Sequence, residues 1–221
     1  PQGLLFNIVE DTQHRHWFLH ATEGIVVIDS AGNNFKLRYD SLDKTSIYSN
    51  AVTTLVQETE NTFWLMHSTG MLEKIEFANG KHKVVHRSDY LQKLNSSEVL
   101  EYRLMIDSDH DLWIYGLNKN QGVFHFSEST AQWQHFSAEK GTERLNTNIV
   151  RGIVEDNRGM IWVGTDHGGI NVIDKKDFSI RYIYHNEEDE KSLAQNSINT
   201  LYKDSEGIIW AGTFKKGVSY Y

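Results

Sequence analysis

Short apolar runs, rich in β-branched and aromatic residues, alternate along this chain with small polar clusters. The pattern is clearest from Ile149 onward. Ile149 to Glu155 has the composition of a short strand, and Asp156-Asn157-Arg158-Gly159 closes it as a turn. In such a turn the Asp side chain accepts bonds from backbone amides ahead of it, and Gly supplies the left-handed position. Met160 to Thr165 predicts a returning strand, Asp166-His167-Gly168 a second reversal, and Gly169 to Ile173 a third strand. Beyond Asp174-Lys175-Lys176-Asp177, Phe178 to Tyr184 predicts a fourth. The unit is a four-stranded antiparallel meander. Several of its strands are apolar at consecutive positions, which points to sheets covered on both faces.

The unit recurs. Trp17, Trp64, Trp113, Trp162 and Trp210 follow one another at intervals of 47, 49, 49 and 48 residues, with Trp133 outside the series. Six positions before each stands an acid: Asp11, Glu58, Asp107, Asp156 and Asp204. Three before are His14, Asn61, His110, Gly159 and Gly207, residue types that accept positive φ more readily than most. Nine before are Ile8, Leu55, Leu104, Ile153 and Leu201. After each tryptophan comes a glycine, Gly24, Gly70, Gly122, Gly169 and Gly217, and then a further apolar run. A period in this range is the signature of a repeat architecture. Coils of a parallel solenoid are much shorter, and a two-sheet sandwich gives no reason for five copies of one motif. Sheets stacked around an axis bury both faces and keep their edges short, so the predicted fold is an all-β propeller of four-stranded antiparallel blades. About five blades are present, at 4–48, 49–96, 97–145, 146–194 and an incomplete 195–221. The repeated acids and glycines read as turn residues, and the tryptophans as packing between adjacent blades. Function is then expected where the copies differ.

Composition narrows the function classes. A net charge of −8 over 221 residues disfavours sequence-independent binding to nucleic acid or to anionic lipid, both of which need a basic surface. No run approaches the roughly 18 apolar residues of a membrane span. With no cysteine, disulfides and thiolate metal sites are excluded. The eleven histidines show no ligand spacing, and His14, His16 and His20 read as surface and turn residues. Glu187-Glu188-Asp189-Glu190 reads as a solvated linker. No metal, cofactor or catalytic constellation is indicated.

The stretch Ile153-Val154-Glu155-Asp156-Asn157-Arg158-Gly159-Met160-Ile161-Trp162-Val163-Gly164-Thr165 closely resembles the two-component regulator propeller repeat. Leu201 to Thr213 resembles it equally, and Lys191 to Ile198 is similar to the linker between consecutive blades of that family. Copies one to three are degraded: His14, Asn61 and His110 replace the turn glycine, and Leu19-His20, Met66-His67 and Tyr115-Gly116 replace the Gly-Thr pair. The resemblance implies the periplasmic sensor region of a Bacteroides-type hybrid two-component system. It also implies an oligosaccharide ligand, control of polysaccharide utilisation, homodimerisation through the full-length receptor, and a membrane helix and kinase core outside this sequence. Family propellers have seven blades, so the chain is expected to be part of a longer sensor.

By analogy with propellers of this strand order, the loops between second and third strands share a face with the inter-blade linkers. That face would carry Ala21-Thr22-Glu23, Ser68-Thr69, Asn118-Lys119-Asn120-Gln121, Asp166-His167 and Phe214-Lys215-Lys216. Polar groups beside an aromatic suit a sugar or uronic acid, which makes Asn118, Lys119, Asp166, His167, Phe214, Lys215 and Lys216 the candidate contacts. Two other functions compete. A propeller glycoside hydrolase or lyase needs two carboxylates converging across a channel, and the acids with fixed spacing are accounted for as turns. A structural platform for receptor dimerisation needs no ligand.

Overall fold

The computed structural model describes residues 5–95, 99–139, 141 and 144–221. Leu4, the expected start of the first strand, and positions 96 and 97, the expected border of the second and third repeats, lie outside them. The first repeat forms β1 (Leu5–Glu10), β2 (His16–His20), β3 (Gly24–Ile28) and β4 (Asn34–Leu37). The second forms β5 (Val52–Gln57), β6 (Thr62–His67), β7 (Leu72–Ala78) and β8 (Lys81–Ser88), followed by a short helix, α1 (Tyr90–Leu94). The third forms β9 (Tyr102–Ile106), β10 (Leu112–Gly116), β11 (Val123–Ser127) and β12 (Gln132–Phe136). The fourth forms β13 (Val150–Glu155), β14 (Met160–Thr165), β15 (Gly169–Asp174) and β16 (Ile180–Ile183), and the fifth β17 (Ile198–Lys203), β18 (Ile209–Thr213) and β19 (Val218–Tyr220). Each repeat makes its own antiparallel sheet with strands in chain order, four sheets of four strands and one of three. The architecture is that of a partial β-propeller. Two compact units divide the chain, one ending at Leu104 and one beginning at Met105.

The acids six positions before the tryptophans do more than close turns. In the fourth repeat Asp156 Oδ1 accepts the backbone N–H groups of Arg158 and Met160, while Oδ2 accepts the indole Nε1–H of Trp162 at 3.0 Å. Asp11, Asp107 and Asp204 bind Trp17, Trp113 and Trp210 in the same way at 2.7–2.9 Å. One carboxylate thus fixes both the turn and the rotamer of the large side chain on the returning strand. For Asp156, burial pushes the carboxyl up, but the bonds from Met160, Trp162 and Arg158 outweigh it and hold it below the usual range.

The second repeat departs from this scheme. Glu58 is longer, and its carboxylate takes Thr62 Oγ1 at 2.9 Å and Lys74 Nζ at 2.6 Å. The turn is tied instead by the hydroxyls of Thr59 and Thr62. Asn61 accordingly does not take the positive φ expected of it, whereas His14, His110, Gly159 and Gly207 all do, with φ of 58°, 67°, 78° and 88°.

Within the first unit Trp17 is fully buried and meets Phe63 and Phe77 of the second sheet at centroid distances of 4.4 and 5.0 Å. In the second unit Trp113 shares a cluster with Ile161, Val163 and Ile173 of the fourth sheet. Trp162 meets Tyr221 of the fifth at 5.4 Å. Burying such a ring contributes roughly 4–6 kcal/mol before ordering costs. Trp210 remains 38% exposed. Trp133, outside the series, lies on β12 against Phe126.

Cations cover the carboxylates at these seams. Arg15 binds Asp11 and the carbonyl of Glu60, and lies over the rings of Trp17, Phe63 and Phe77 at 5.2–5.8 Å. Lys175 Nζ, at the end of β15, reaches Asp109 and Glu155 at 2.7 Å and Asp107 at 3.5 Å. Burial would lower its pKa, yet the bonds to Asp109 and Glu155 raise it well above the ordinary lysine value.

Gly169 (φ +67°) shows why the second reversal needs glycine, since an added Cβ would sit 2.4 Å from the carbonyl oxygen of Ile183 on the neighbouring strand. Asp156→Ala leaves the indole and two backbone N–H groups without their acceptor, and should lower stability in urea unfolding by about 2–3 kcal/mol. Asp204→Ala, beside a partly exposed ring, should cost visibly less. Because native Asp11 and Asp156 ionise below the unfolded value of about 3.9, their contribution is complete above that pH. It is lost as pH falls through their folded pKa values, so the midpoint should be steady from pH 7 to about 5 and fall below about 4.

Candidate functional site

A bulge marks the first strand of at least four repeats. The register shifts between Leu5 and Asn7, Val52 and Thr54, Val150 and Gly152, and Ile198 and Thr200, always eleven positions before the tryptophan. Bulges re-aim side chains, often beside functional sites. Here Arg151, the residue inserted in β13, reaches Asp166 at 3.7 Å. Nothing in the apolar pattern of the sequence signals this insertion.

Three bonds recur at the linkers before the second, fourth and fifth sheets, two joining linker to sheet and one closing the linker on itself. The backbone N–H groups of Ser68, Asp166 and Phe214, in the reversal after the second strand, donate to the carbonyls of Ala51, Ile149 and Ser197 in the linker. Asn50, Asn148 and Asn196 each accept a backbone N–H near the linker's start, from Tyr39, Ala138 and His185, at 2.7–2.8 Å. The N–H groups of Tyr48, Asn146 and Ala194 donate at 2.9 Å to side chains on the third strand, Glu73, Asn171 and Ser219. The sequence holds a signal for the second, an Asn fourteen positions before the tryptophan, but its partners are visible only once the sheets are formed.

The candidate contact residues fall in these reversals. His167 (φ 65°) places Nδ1 2.9 Å from Asp166 Oδ1, so Arg151, Asp166 and His167 form one small polar group. Lys215 Nζ lies 5.4 Å from the Phe214 ring centroid, its backbone N–H donates to Gln195 Oε1, and that of Lys216 donates to Thr213 Oγ1. Phe214, Lys215 and Lys216 are all exposed. Asn118 is exposed and Lys119 half-buried in the longer reversal between β10 and β11, where the N–H of Gln121 bonds the carbonyl of Lys119. Residues of one reversal are thus brought together.

A different feature escaped the sequence reading. A cavity of about 490 Å³ opens at the first linker, bordered by Tyr39, Asp43, Tyr48, Ser49, Asn50 and Arg87 among others. Behind it lies a buried charged chain. His67 and Glu73 are both fully buried; Ser49 Oγ is 2.9 Å from His67 Nδ1, and His67 Nε2 is 2.7 Å from Glu73 Oε2. With Nε2–H donated to the carboxylate, Nδ1 is the acceptor for the serine hydroxyl. Glu73 Oε1 takes Arg87 Nε, and Arg87 Nη2 donates to the carbonyl of Ser46. Burial pushes the Glu73 carboxyl up, but His67, the Tyr48 N–H and Arg87 outweigh it and hold it below the usual range.

Residues 144–167 and 192–215 match the sequence profile of the two component regulator propeller. The two segments are similar to that family's repeat. They are the fourth and fifth copies, in which the motif is intact. No curated protein matches the chain. Among solved structures, the extracellular domain of BT4673 from Bacteroides thetaiotaomicron, described as a hybrid two component system, aligns with a TM-score of 0.66 at 19% identity. That alignment covers 98% of this chain and 27% of the other. The extracellular domain of BT3049, from the same organism and so described, gives 0.62 at 19% identity, covering 98% and 33%. PorZ of Porphyromonas gingivalis, a surface component of the type-IX secretion system, gives 0.66 at 15%, covering 98% and 32%. At these identities the likeness shows the β-propeller fold, and the chain spans about a third or less of each of these proteins.

Glu73→Ala would strip the acceptor from His67, Arg87 and the Tyr48 N–H together. The expected loss is about 3 kcal/mol in chemical unfolding, since one partner of a buried ionic set is removed while Arg87 keeps some contact with water. An unchanged midpoint would show that the set contributes nothing to the fold.

Proposed function

We propose that this chain is part of the extracytoplasmic sensing region of a hybrid two-component sensor histidine kinase. In this reading it lies in the periplasm, responds to oligosaccharide breakdown products, and controls polysaccharide utilisation. The observation that carries the reading is the pair of regulator propeller repeats at 144–167 and 192–215, set in sheets that fold like the extracellular domains of BT4673 and BT3049. The phosphorylated histidine and the phosphoacceptor aspartate belong to other parts of the receptor, and the chain itself performs no catalysis. Asn118, Lys119, Asp166, His167, Phe214, Lys215 and Lys216 are the proposed contacts, because they lie in reversals whose side chains differ from copy to copy, and bonds to the linker hold the reversals of the fourth and fifth repeats in place. A bound ligand changes signalling only if it prefers one arrangement of paired receptors over another.

Thermal melting of the chain with a panel of neutral and acidic oligosaccharides tests the reading. Ligand at about 100 times its Kd stabilises the native state by about 2.7 kcal/mol, a Tm rise of roughly 5–10 °C for a chain of this size. No rise with any sugar would favour a platform without a ligand. Release of shorter products from the same sugars would favour a glycoside hydrolase or lyase.

A further inference from the structure

The linker staples provide an internal control. In the fourth repeat the acceptor for the linker N–H is the neutral Asn171, with Thr165 beside it, and in the fifth it is Ser219. A neutral side chain therefore suffices to hold linker to sheet. The second repeat places Glu73 and His67 in the corresponding positions, both fully buried, where an ionised carboxylate is costly unless paired. The outlay exceeds what the staple needs. Its visible consequence is at the cavity: Glu73 and the Ser46 carbonyl hold Nε and Nη2 of Arg87, and the rest of the guanidinium borders the opening. Ser49, whose hydroxyl is oriented by His67, borders it too. So does Thr69, whose buried Oγ1 has no hydrogen-bond partner among the described residues.

We propose that this cavity over the first inter-blade linker binds a neutral polyhydroxylated ligand, a short saccharide. The proposal rests on the sensing reading above and moves its site to residues outside the seven candidate contacts. The volume, about 490 Å³, lies within the about 300–1,000 Å³ of small-molecule sites. The lining brings donors and acceptors together, as vicinal hydroxyls require: the Arg87 guanidinium as donor, the Ser49 oxygen and the carboxylates of Asp40 and Asp43 as acceptors. Tyr39, 52% exposed, offers a ring face for the C–H face of a sugar. Charge selects against acidic sugars. Arg87 is paired with Glu73, and the other charged side chains of the lining are Asp40, Asp43 and Lys44, so a ligand carboxylate would meet an excess of negative charge.

The test is titration of the 221-residue chain with maltotriose, cellotriose, xylotriose and digalacturonate, read by amide chemical shifts. At least one neutral trisaccharide should bind with shifts centred on Tyr39–Asn50, and digalacturonate at least about tenfold more weakly at those positions. Tyr39→Ala, an exposed change that leaves the melting temperature as it was, should weaken the neutral sugar by about tenfold. Arg87→Gln should weaken it at least as much. Saccharide shifts confined to the Asp166–His167 or Phe214–Lys216 reversals would overturn the cavity and keep the sensing reading. Binding at Tyr39–Asn50 that survives both substitutions would overturn the assigned contacts. Absence of binding by all four sugars, with no melting shift in the wider panel, would overturn both.

Discussion

The bond between an aspartate and the indole six residues on couples the smallest element of this fold to the largest. The carboxylate organises a tight turn through backbone amides of residues two and four ahead, and with its second oxygen it takes up the only polar atom of the tryptophan. An indole buried without that acceptor would lose part of what its burial gains. The bond forms within a single hairpin, so it does not depend on a neighbouring sheet. Asp204 and Trp210 show this, holding each other at 2.7 Å although the ring is partly open to water. Each hairpin thus presents a ring already set in one orientation, and the packing of sheet on sheet follows from it.

Three of the repeat acids also pair with a cation, each drawn from a different place. Arg15 comes from the turn beside Asp11, Lys74 from the third strand of the second repeat, and Lys175 from the fourth repeat to the acids of the third. The cations thus come from unrelated sequence positions. That explains why the acids repeat along the chain while the basic residues do not.

This difference sets the limit on what was legible in the sequence. Repeat length, strand order, turn acids and reversal glycines depend on contacts a few residues apart, and a periodic sequence records them. The fourth strand of the fourth repeat was read as Phe178–Tyr184 and is Ile180–Ile183, because Phe178 takes a positive φ and turns the chain before the strand begins. The bulges at Phe6, Thr53, Arg151 and Asn199 left no trace, since apolar character is unaffected by one added residue. Glu58 looked like one more turn acid, yet the extra methylene carries its carboxylate to Lys74. Among candidate site residues, those adjacent in a reversal could be grouped from the sequence. The chain from Ser49 through His67 and Glu73 to Arg87 could not, because it joins a linker to three strands of the second sheet.

The separation between what repeats and what does not also bears on how a repeat protein acquires a site. The same three bonds hold the linkers before the second, fourth and fifth sheets, and at the first linker one of the three has a charged acceptor, Glu73. Substituting at the acceptor position can then change the chemistry of the linker's cavity without changing its shape, as the difference between Asn171 and Glu73 illustrates. A buried glutamate is tolerated there because the staple N–H, the histidine and the arginine each neutralise part of its cost, and of these Tyr48 and Arg87 border the opening. Charge placed behind a rigid linker orients donors toward solvent at fixed positions. Pre-ordered donors of that kind lower the entropic cost of holding a flexible, hydroxylated ligand.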